Sequence, residues 1–310
     1  MPQFITVLGI VLPIFALVYI GYYFRRKELC TDEWVNVLNK FVYYVSLPAV
    51  IIVSFWDIQW KSSEIWTAVG WNTVAYLAFA ILVFLSLNSL KYLSGSAKSA
   101  MFMVSLVGNT VYIGFPILIH ALGNSKAPYV IAAGTAHLVL GLVLSILAVD
   151  FWVVKSKKLS LYVDDLIKNP FMLSVGAGII LSLINLRGPL LNAIHTPLAM
   201  LGATATPVAL FALGGFLHGK FLRQHVARSL VWTGIKILAF PLFLWLFMLL
   251  LPADRSIVQV SVLTGTMPVA VTCFVIAKKF KLDEAFVTNV ILLSTAISVV
   301  TISIFLTVMS

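Results

Sequence analysis

The chain has 310 residues, of which 61% are hydrophobic and only 10% are charged. Because about a quarter of the residues in a soluble domain are charged, this composition excludes a soluble fold and predicts a protein that uses the lipid bilayer as its solvent. The net charge of +10 does not indicate a nucleic-acid partner, because the basic residues lie in short loops between apolar runs. The two cysteines, Cys30 and Cys273, are far apart, so we expect neither a disulfide framework nor a metal site. No cofactor is expected.

Apolar runs of about twenty residues without alternation predict membrane-spanning helices rather than barrel strands. We predict ten such spans, numbered in chain order. They are Gln3–Phe24, Glu33–Phe55, Ile65–Asn88, Ser99–Leu122, Pro128–Val154, Asn169–Asn185, Pro197–Gly219, Ser229–Leu251, Ile257–Lys278 and Glu284–Met309.

The loops between the spans alternate in charge. Those after the odd-numbered spans hold fifteen Lys and Arg residues, and those after the even-numbered spans hold four. By the positive-inside rule, odd-numbered spans end in the cytoplasm and both termini lie outside. We therefore expect a multi-pass protein of the cell (inner or plasma) membrane.

Spans 1–5 and spans 6–10 look like weak copies of one another. Pro13 and Gly21 are eight residues apart, as are Pro170 and Gly178. Because each half makes five crossings, a duplicated unit must be inverted relative to its partner, which is typical of secondary transporters. The predicted division is a first repeat at residues 1–154, a cytoplasmic linker at 155–168 and a second, inverted repeat at 169–310.

Span 4 contains the run GNTVYIGFP at Gly108–Pro116. Pro116 lacks an N–H group and its ring crowds the carbonyl of Tyr112, while Gly114 allows a further bend. Asn109 lies seven residues before Pro116, on the same helical face. Backbone groups freed at mid-bilayer must face water, protein or substrate. This run alone fits a kinked structural helix as well as it fits a substrate site.

Span 9 repeats the same formula in the run TGTMPVAVT at Thr264–Thr272, with Gly265 and Pro268. Two breaks in matching positions are much less readily accidental than one. Each break exposes the N-terminus of a half-helix, with partial positive charge and free N–H donors. Two opposed ends of this kind predict a site for an anion, such as a carboxylate, without a membrane-embedded arginine.

Three segments resemble the auxin efflux carrier family, which includes plant PIN-type carriers and their bacterial relatives. They are NTVYIGFPIL at Asn109–Leu118, PVAVTCFVIAKK at Pro268–Lys279 followed by LLST at Leu292–Thr295, and LNKFV with SLPA within Leu38–Ala49. The length, the ten spans and the outside termini agree over the whole chain. The long cytoplasmic loop of many plant members is absent, which argues for a minimal prokaryotic-type carrier.

The resemblance implies a scaffold of spans 1, 2, 6 and 7 and a transport domain of spans 3, 4, 5, 8, 9 and 10, with spans 4 and 9 crossing at their prolines. It implies the general fold of bile-acid:sodium symporters, carboxylate substrates, elevator-type alternating access and a homodimer. It also implies that Asn109 contacts or orients the substrate. The candidate substrate-binding residues are Asn109, Thr110, Gly114, Pro116, Gly265, Pro268 and Thr272 in the transport domain, with Ser46, Pro48, Thr206 and Pro207 in the scaffold.

Ionisable residues inside the spans carry their own hypotheses. His137 in span 5 is a candidate for proton coupling, or a neutral histidine hydrogen-bonded between helices. Lys40 and Lys236 lie one to two turns from cytoplasmic ends, and snorkelling explains both. Asp150 is interpreted as interfacial. With no acidic residue predicted near mid-bilayer, three coupling modes stay open: proton symport through His137 or the substrate, a potential-driven uniport, or a sodium site of carbonyls and hydroxyls.

These features favour a secondary transporter that moves a small organic anion. The alternatives are a sodium-coupled organic-anion symporter of the bile-acid-transporter type and a membrane receptor or sensor that transports nothing. An enzyme is not expected, because the spans show no serine–histidine, paired-aspartate or metal-ligand spacing. The expected partners are the anion, the lipid bilayer and a second copy of the chain.

Overall fold

The computed structural model describes residues 2–57, 63–154, 170–184, 189–219 and 225–309. Over these residues the regular structure is helical, apart from one isolated β-bridge. The helices are α1 Pro2–Arg26, α2 Asp32–Asp57, α3 Ser63–Ser89, α4 Gly95–Leu106, α5 Thr110–Leu122, α6 Ala127–Val154, α7 Pro170–Ile184, α8 Pro189–Ala203, α9 Ala205–Leu217, α10 Val226–Met248, α11 Arg255–Gly265, α12 Thr272–Lys279 and α13 Glu284–Met309.

The predicted class, an all-α polytopic membrane protein, is confirmed. Among the described residues, six helical segments are long and apolar enough to cross a membrane. They are α2, α3 (from Ile65), α6, α10, α13 and the segment Leu191–Leu217, which contains most of α8 and all of α9. Where spans 4 and 9 were predicted, two shorter helices follow one another, α4 with α5 and α11 with α12. The linker predicted at 155–168 lies outside the described residues.

Large apolar side chains are exposed along the outer helices. Ile81, Leu82 and Leu85 on α3, and Val231 and Leu246 on α10, are each more than half exposed. A soluble monomer rarely presents apolar side chains in such continuous stripes. These faces are therefore suited to contact with lipid chains.

Prolines explain most of the irregular turns within the described helices, although no proline closely follows the π-helical turn Asp150–Val154. A proline ring crowds the carbonyl oxygen four residues earlier, and widening the turn by one residue relieves that clash. Three π-helical turns each end two residues before a proline: Val42–Ser46 before Pro48, Thr110–Gly114 before Pro116, and Ile235–Ala239 before Pro241. A fourth interruption, at Thr204 between α8 and α9, precedes Pro207.

Two glycines bring helix backbones into close contact. A β-carbon at Gly21 of α1 would lie only 2.0 Å from the carbonyl oxygen of Phe211 in α9. A β-carbon at Gly178 of α7 would lie 2.8 Å from the carbonyl oxygen of Ile52 in α2. Interiors are packed too densely to absorb such overlaps. Glycine at these positions therefore sets how closely α1 packs on α9 and α7 packs on α2.

Candidate functional site

The chain breaks between α4 and α5 and between α11 and α12 are paired through their backbones. Gly108 and Val269 form an antiparallel β-bridge. The N–H of Asn109 donates to the carbonyl of Pro268 at 2.7 Å, and the N–H of Ala270 donates to the carbonyl of Val107 at 3.1 Å. A broken helix in an apolar interior must satisfy its freed backbone groups within the protein. Each break therefore supplies part of the hydrogen bonding that the other has lost.

Ser294 of α13 completes this pairing. Its hydroxyl accepts a hydrogen bond from the N–H of Val269 at 3.1 Å and donates to the carbonyl of Ile291 at 3.2 Å. The side chain is fully buried. Ser294 lies in a segment that resembles the family, but no role could be predicted for it from the sequence. Nothing in the sequence of α13 indicates that this helix contacts a break far away in the chain.

Asn109 lies at the centre of the paired breaks. Its carbonyl accepts hydrogen bonds from the N–H groups of Ile113 and Gly114, which begin α5. The residue is only 3% exposed, and none of the described residues forms a hydrogen bond with its side-chain amide. A side-chain amide without a protein partner in an apolar interior costs free energy, and a hydrogen bond to a polar ligand would relieve that cost.

The other candidates on the transport side have distinct positions. The hydroxyl of Thr110 donates to the carbonyl of Gly134 in α6 at 3.1 Å. A β-carbon at Gly114 would lie 3.1 Å from Cγ of Met267, so this glycine admits the second break. Gly265 instead faces α10, where a β-carbon would lie 2.7 Å from Leu244.

Two further transport-side candidates lie on the breaks themselves. The carbonyl of Pro268 is engaged in the pairing, and Thr272 is half-buried at the start of α12. Pro116 belongs to α5, but its side chain lies outside the described residues.

The scaffold candidates lie at or beside the distorted turns of α2 and α8–α9. The fully buried Ser46 and the half-buried Thr204 are joined by a hydrogen bond of 2.7 Å between their hydroxyl oxygens. Pro48 is half-buried and Pro207 is exposed. The side chain of Thr206 lies outside the described residues.

A cavity of about 480 Å³ separates α2 and α8–α9 from α5 and α6. Its wall includes Ser54 of α2, Gly202 of α8, and Val111, Phe115 and His120 of α5. Val111 is two residues from Asn109, and Asn109 itself is not among the lining residues. A second cavity, of about 540 Å³, lies among α1, α9 and α13 at the other end of α9, where Leu217 lines it.

The snorkelling interpretation of Lys236 is wrong. Lys236 is only 1% exposed, whereas Lys40 is exposed as expected. The π turn before Pro241 contains Lys236, whose Nζ lies 3.4 Å from the carbonyl oxygen of Leu106 and 4.3 Å from the ring centroid of Phe240. The amine of Lys236 is thus held inside the protein, at the end of α4.

His137 belongs to the same buried group. Its ring centroid lies 4.8 Å from that of Tyr76 and 5.9 Å from that of Phe240. The hydroxyl of Tyr76 donates to the carbonyl of Leu106 at 3.0 Å, so this carbonyl accepts from both Tyr76 and Lys236. Nε2 of His137 is buried and has no hydrogen-bond partner among the described residues.

Comparison with known proteins adds the family to this geometry. The sequence model of the family described as "Membrane transport protein" matches residues 6–156 and residues 154–306. The chain belongs to this membrane transport protein family. The resemblance to auxin efflux carriers, which form this family, is thereby confirmed.

Three relatives match this transporter over nearly all of its length. A protein of Rhizobium meliloti named "Putative malonate transporter" is 28% identical over 306 residues, covering 95% of this chain and 93% of that protein. An uncharacterized transporter of Methanocaldococcus jannaschii is 22% identical over 307 residues, covering 96% of each chain. One of Methanothermobacter thermautotrophicus is 24% identical over 298 residues, covering 94% of this chain and 95% of that protein. The chain is therefore a membrane transporter, as the sequence predicted.

Proposed function

We propose that this transporter is a secondary carrier that moves a small organic anion, a carboxylate, by elevator-type alternating access. The observation that carries the proposal is the pair of breaks joined at Gly108 and Val269, with the unpartnered amide of Asn109 beside them. Discontinuous helices of this kind form the binding sites of many secondary transporters. The scaffold is spans 1, 2, 6 and 7, and the remaining six spans form the moving domain.

The proposed architecture is ten spans in two inverted repeats, with spans 4 and 9 crossing at their breaks. The glycine contacts support it, because Gly21 and Gly178 occupy equal positions after the prolines that mark each repeat. Gly21 joins span 1 to span 7, and Gly178 joins span 6 to span 2. A two-fold relation between spans 1–5 and spans 6–10 exchanges these two contacts.

Three features support a carboxylate as the substrate. The Asn109 side chain has an NH₂ group that can donate to a carboxylate oxygen. The first-turn N–H groups of α5, which begins at Thr110, have no intrahelical partners and lie at the positive end of the helix dipole. The Rhizobium relative is named for malonate, a dicarboxylate. We therefore propose short-chain dicarboxylates as the first substrates to test.

Alternating access draws support from the two cavities at opposite ends of α9. The cavity at the Ala205 end separates scaffold helices from α5, and the cavity at the Leu217 end lies between α9 and α13. Sliding of the moving domain along α9 would close one and open the other. His137 is the proposed proton-coupling residue. The homodimer remains a prediction.

The test is uptake of labelled malonate, succinate and acetate into proteoliposomes containing the purified transporter. We expect saturable uptake of at least one dicarboxylate and a loss of at least tenfold in Asn109→Ala, because the amide donor is removed. The matched control is Asn88→Ala, since Asn88 lies at the end of α3, where its side chain bonds Trp152. Normal uptake by Asn109→Ala, with Asn88→Ala also active, would remove Asn109 from the site. A receptor would bind a carboxylate but accumulate none.

A further inference from the structure

Lys236 is a buried lysine, and the described residues include no buried acidic partner for it. Its side chain is 1% exposed, and none of the aspartates and glutamates in the described parts of the chain is buried. Burial of a charge without compensation is costly, so the surroundings of such a group must stabilise it. The groups around Lys236 are main-chain carbonyls, aromatic rings and hydroxyl or thiol side chains.

The ammonium group lies at the negative end of α4. Its closest described acceptor is the carbonyl of Leu106, the last residue of that helix, at 3.4 Å. Cations are stabilised at helix C-termini, where carbonyl groups lack intrahelical donors. The ring of Phe240, 4.3 Å from Nζ, adds a cation–π contact. These are the kinds of groups that compensate a positive charge without an acid.

The same amine touches the backbone of the paired breaks. A β-carbon at Gly108 would lie 3.1 Å from Nζ of Lys236, so glycine at this position leaves room for the ammonium group. Gly108 is bridged to Val269 and precedes Asn109. The titratable neighbours from the packed helices are Tyr76 of α3, His137 of α6 and Cys273 of α12.

Carbonyl ends of half-helices at mid-membrane are also where secondary transporters coordinate coupling cations. We propose that the ammonium group of Lys236 is a tethered cation that takes the place of a bound alkali ion at the paired breaks, between the carbonyl end of α4 and the ring of Phe240. It is a positioning residue, because it acts on the Gly108–Asn109 backbone and through that backbone on the substrate. This inference rests on the proposed function for its link to carboxylate uptake, and its charge offsets that of the bound anion.

The first test replaces the charge with an apolar side chain of similar length. In Lys236→Met we expect an unchanged or raised melting temperature, because a buried charge gives way to a hydrophobic side chain. We also expect carboxylate uptake to fall at least tenfold. If the lysine had a purely structural role, uptake would fall only together with stability. The matched control is Lys98→Met. Lys98 is also buried and bonds a carbonyl, that of Asn88 at 3.5 Å, but lies in the first turns of α4.

The second test supplies the missing cation from solution. In Lys236→Ala, we expect methylammonium, ethylammonium or sodium to raise the melting temperature relative to choline at equal ionic strength. The same cations should raise the rate of carboxylate uptake by this variant at least fivefold. Lys98→Ala should not respond. Wild-type uptake should be equal in sodium and choline, because the amine already fills the position.

Each result bears on the tethered cation. The tethered-cation proposal would be overturned if Lys236→Met took up carboxylate at the wild-type rate, or if uptake by the wild type depended on sodium. It would also be overturned if no cation stabilised or reactivated Lys236→Ala. If Lys236→Ala does not fold, the Met variant decides. A wild type that transports no carboxylate defeats the proposed function instead, and the melting experiment with Lys236→Ala still decides the role of Lys236, because it needs no substrate.

Discussion

At the scale of single residues, the paired breaks are held together by backbone hydrogen bonds and by the hydroxyl of Ser294. The pairing of Asn109 with Pro268 and of Val107 with Ala270 uses main-chain atoms that every sequence has. What is specific to this sequence is the set of residues that allow the pairing: glycine at 108, proline at 268 and serine at 294. These residues allow buried polar groups to find hydrogen-bond partners. Leaving such a group without a partner costs more free energy than a typical hydrogen bond contributes.

Ser294→Ala should weaken the paired breaks. The substitution leaves the buried N–H of Val269 without an acceptor, which costs about 1–3 kcal/mol. We expect a lower melting temperature in detergent and slower carboxylate uptake. The control is Ser303→Ala on the same helix, because the buried hydroxyl of Ser303 bonds the carbonyl of Val299 and orphans no N–H group. Equal melting temperatures for the two variants would show that Val269 does not depend on Ser294.

His137→Gln tests the proposed proton coupling. Glutamine keeps a polar side chain of similar reach between Tyr76 and Phe240 but cannot take up a proton near neutral pH. We expect the dependence of uptake on pH to flatten between roughly pH 5.5 and pH 8, the range in which histidine titrates. Full retention of the wild-type pH profile would exclude His137 from coupling and leave the substrate or the membrane potential in that role.

How far the sequence predicts this site depends on the range of the signal. Gly108, Pro116, Gly265 and Pro268 announce the breaks locally, so their positions could be predicted. The burial of Lys236 could not, because its distance from the end of the span fits snorkelling equally well. One signal was available: Pro241 five residues later forces a wide turn, which changes the face on which Lys236 projects.

At the scale of helices, proline and glycine have different structural roles. Proline at 48, 116 and 241 produces wide turns, and proline at 268 lies in an outright break. Glycine permits the closest helix contacts, α1 with α9 and α7 with α2. The resulting framework joins helices that are far apart in the chain, which is why helix positions could be read from hydropathy but helix neighbours could not.

Gly178→Ala should separate α7 from α2. The added methyl group would overlap Cβ of Phe55 at 2.6 Å and the carbonyl oxygen of Ile52 at 2.8 Å. Overpacking of this kind costs about 1–3 kcal/mol, so we expect a lower melting temperature. Gly176→Ala, two residues earlier on α7, meets nothing within 4 Å and should be neutral or stabilising, because alanine favours helix. A matching loss of stability in both variants would contradict the proposed contact.

At the scale of the whole molecule, the charge distribution and the paired breaks are consistent with one arrangement. By the positive-inside rule, the predicted basic loops would set the orientation of the chain during insertion. In the proposed architecture, inverted repeats would place one break from each half at the same depth, and the bridge between Gly108 and Val269 is consistent with that placement. The orientation therefore bears directly on transport, because it decides to which side of the membrane each of the two cavities opens.

Cysteine labelling tests that orientation. We expect Tyr92→Cys, in the exposed turn between α3 and α4, to react with a membrane-impermeant maleimide only from the cytoplasmic side. Asp254→Cys, exposed between α10 and α11, should react only from outside. These two positions follow an odd-numbered and an even-numbered span, which the positive-inside rule assigns to opposite sides.

The native cysteines allow this labelling experiment without a cysteine-free background. Cys30 and Cys273 are both fully buried. Burial raises the pKa of the Cys30 thiol against the opposing effect of Arg25, so little of it is the reactive thiolate at neutral pH. The wild type should therefore stay unlabelled from either side. An inverted relation between the two halves requires an odd number of membrane crossings between these two positions. Labelling of both introduced cysteines from the same side would therefore contradict it.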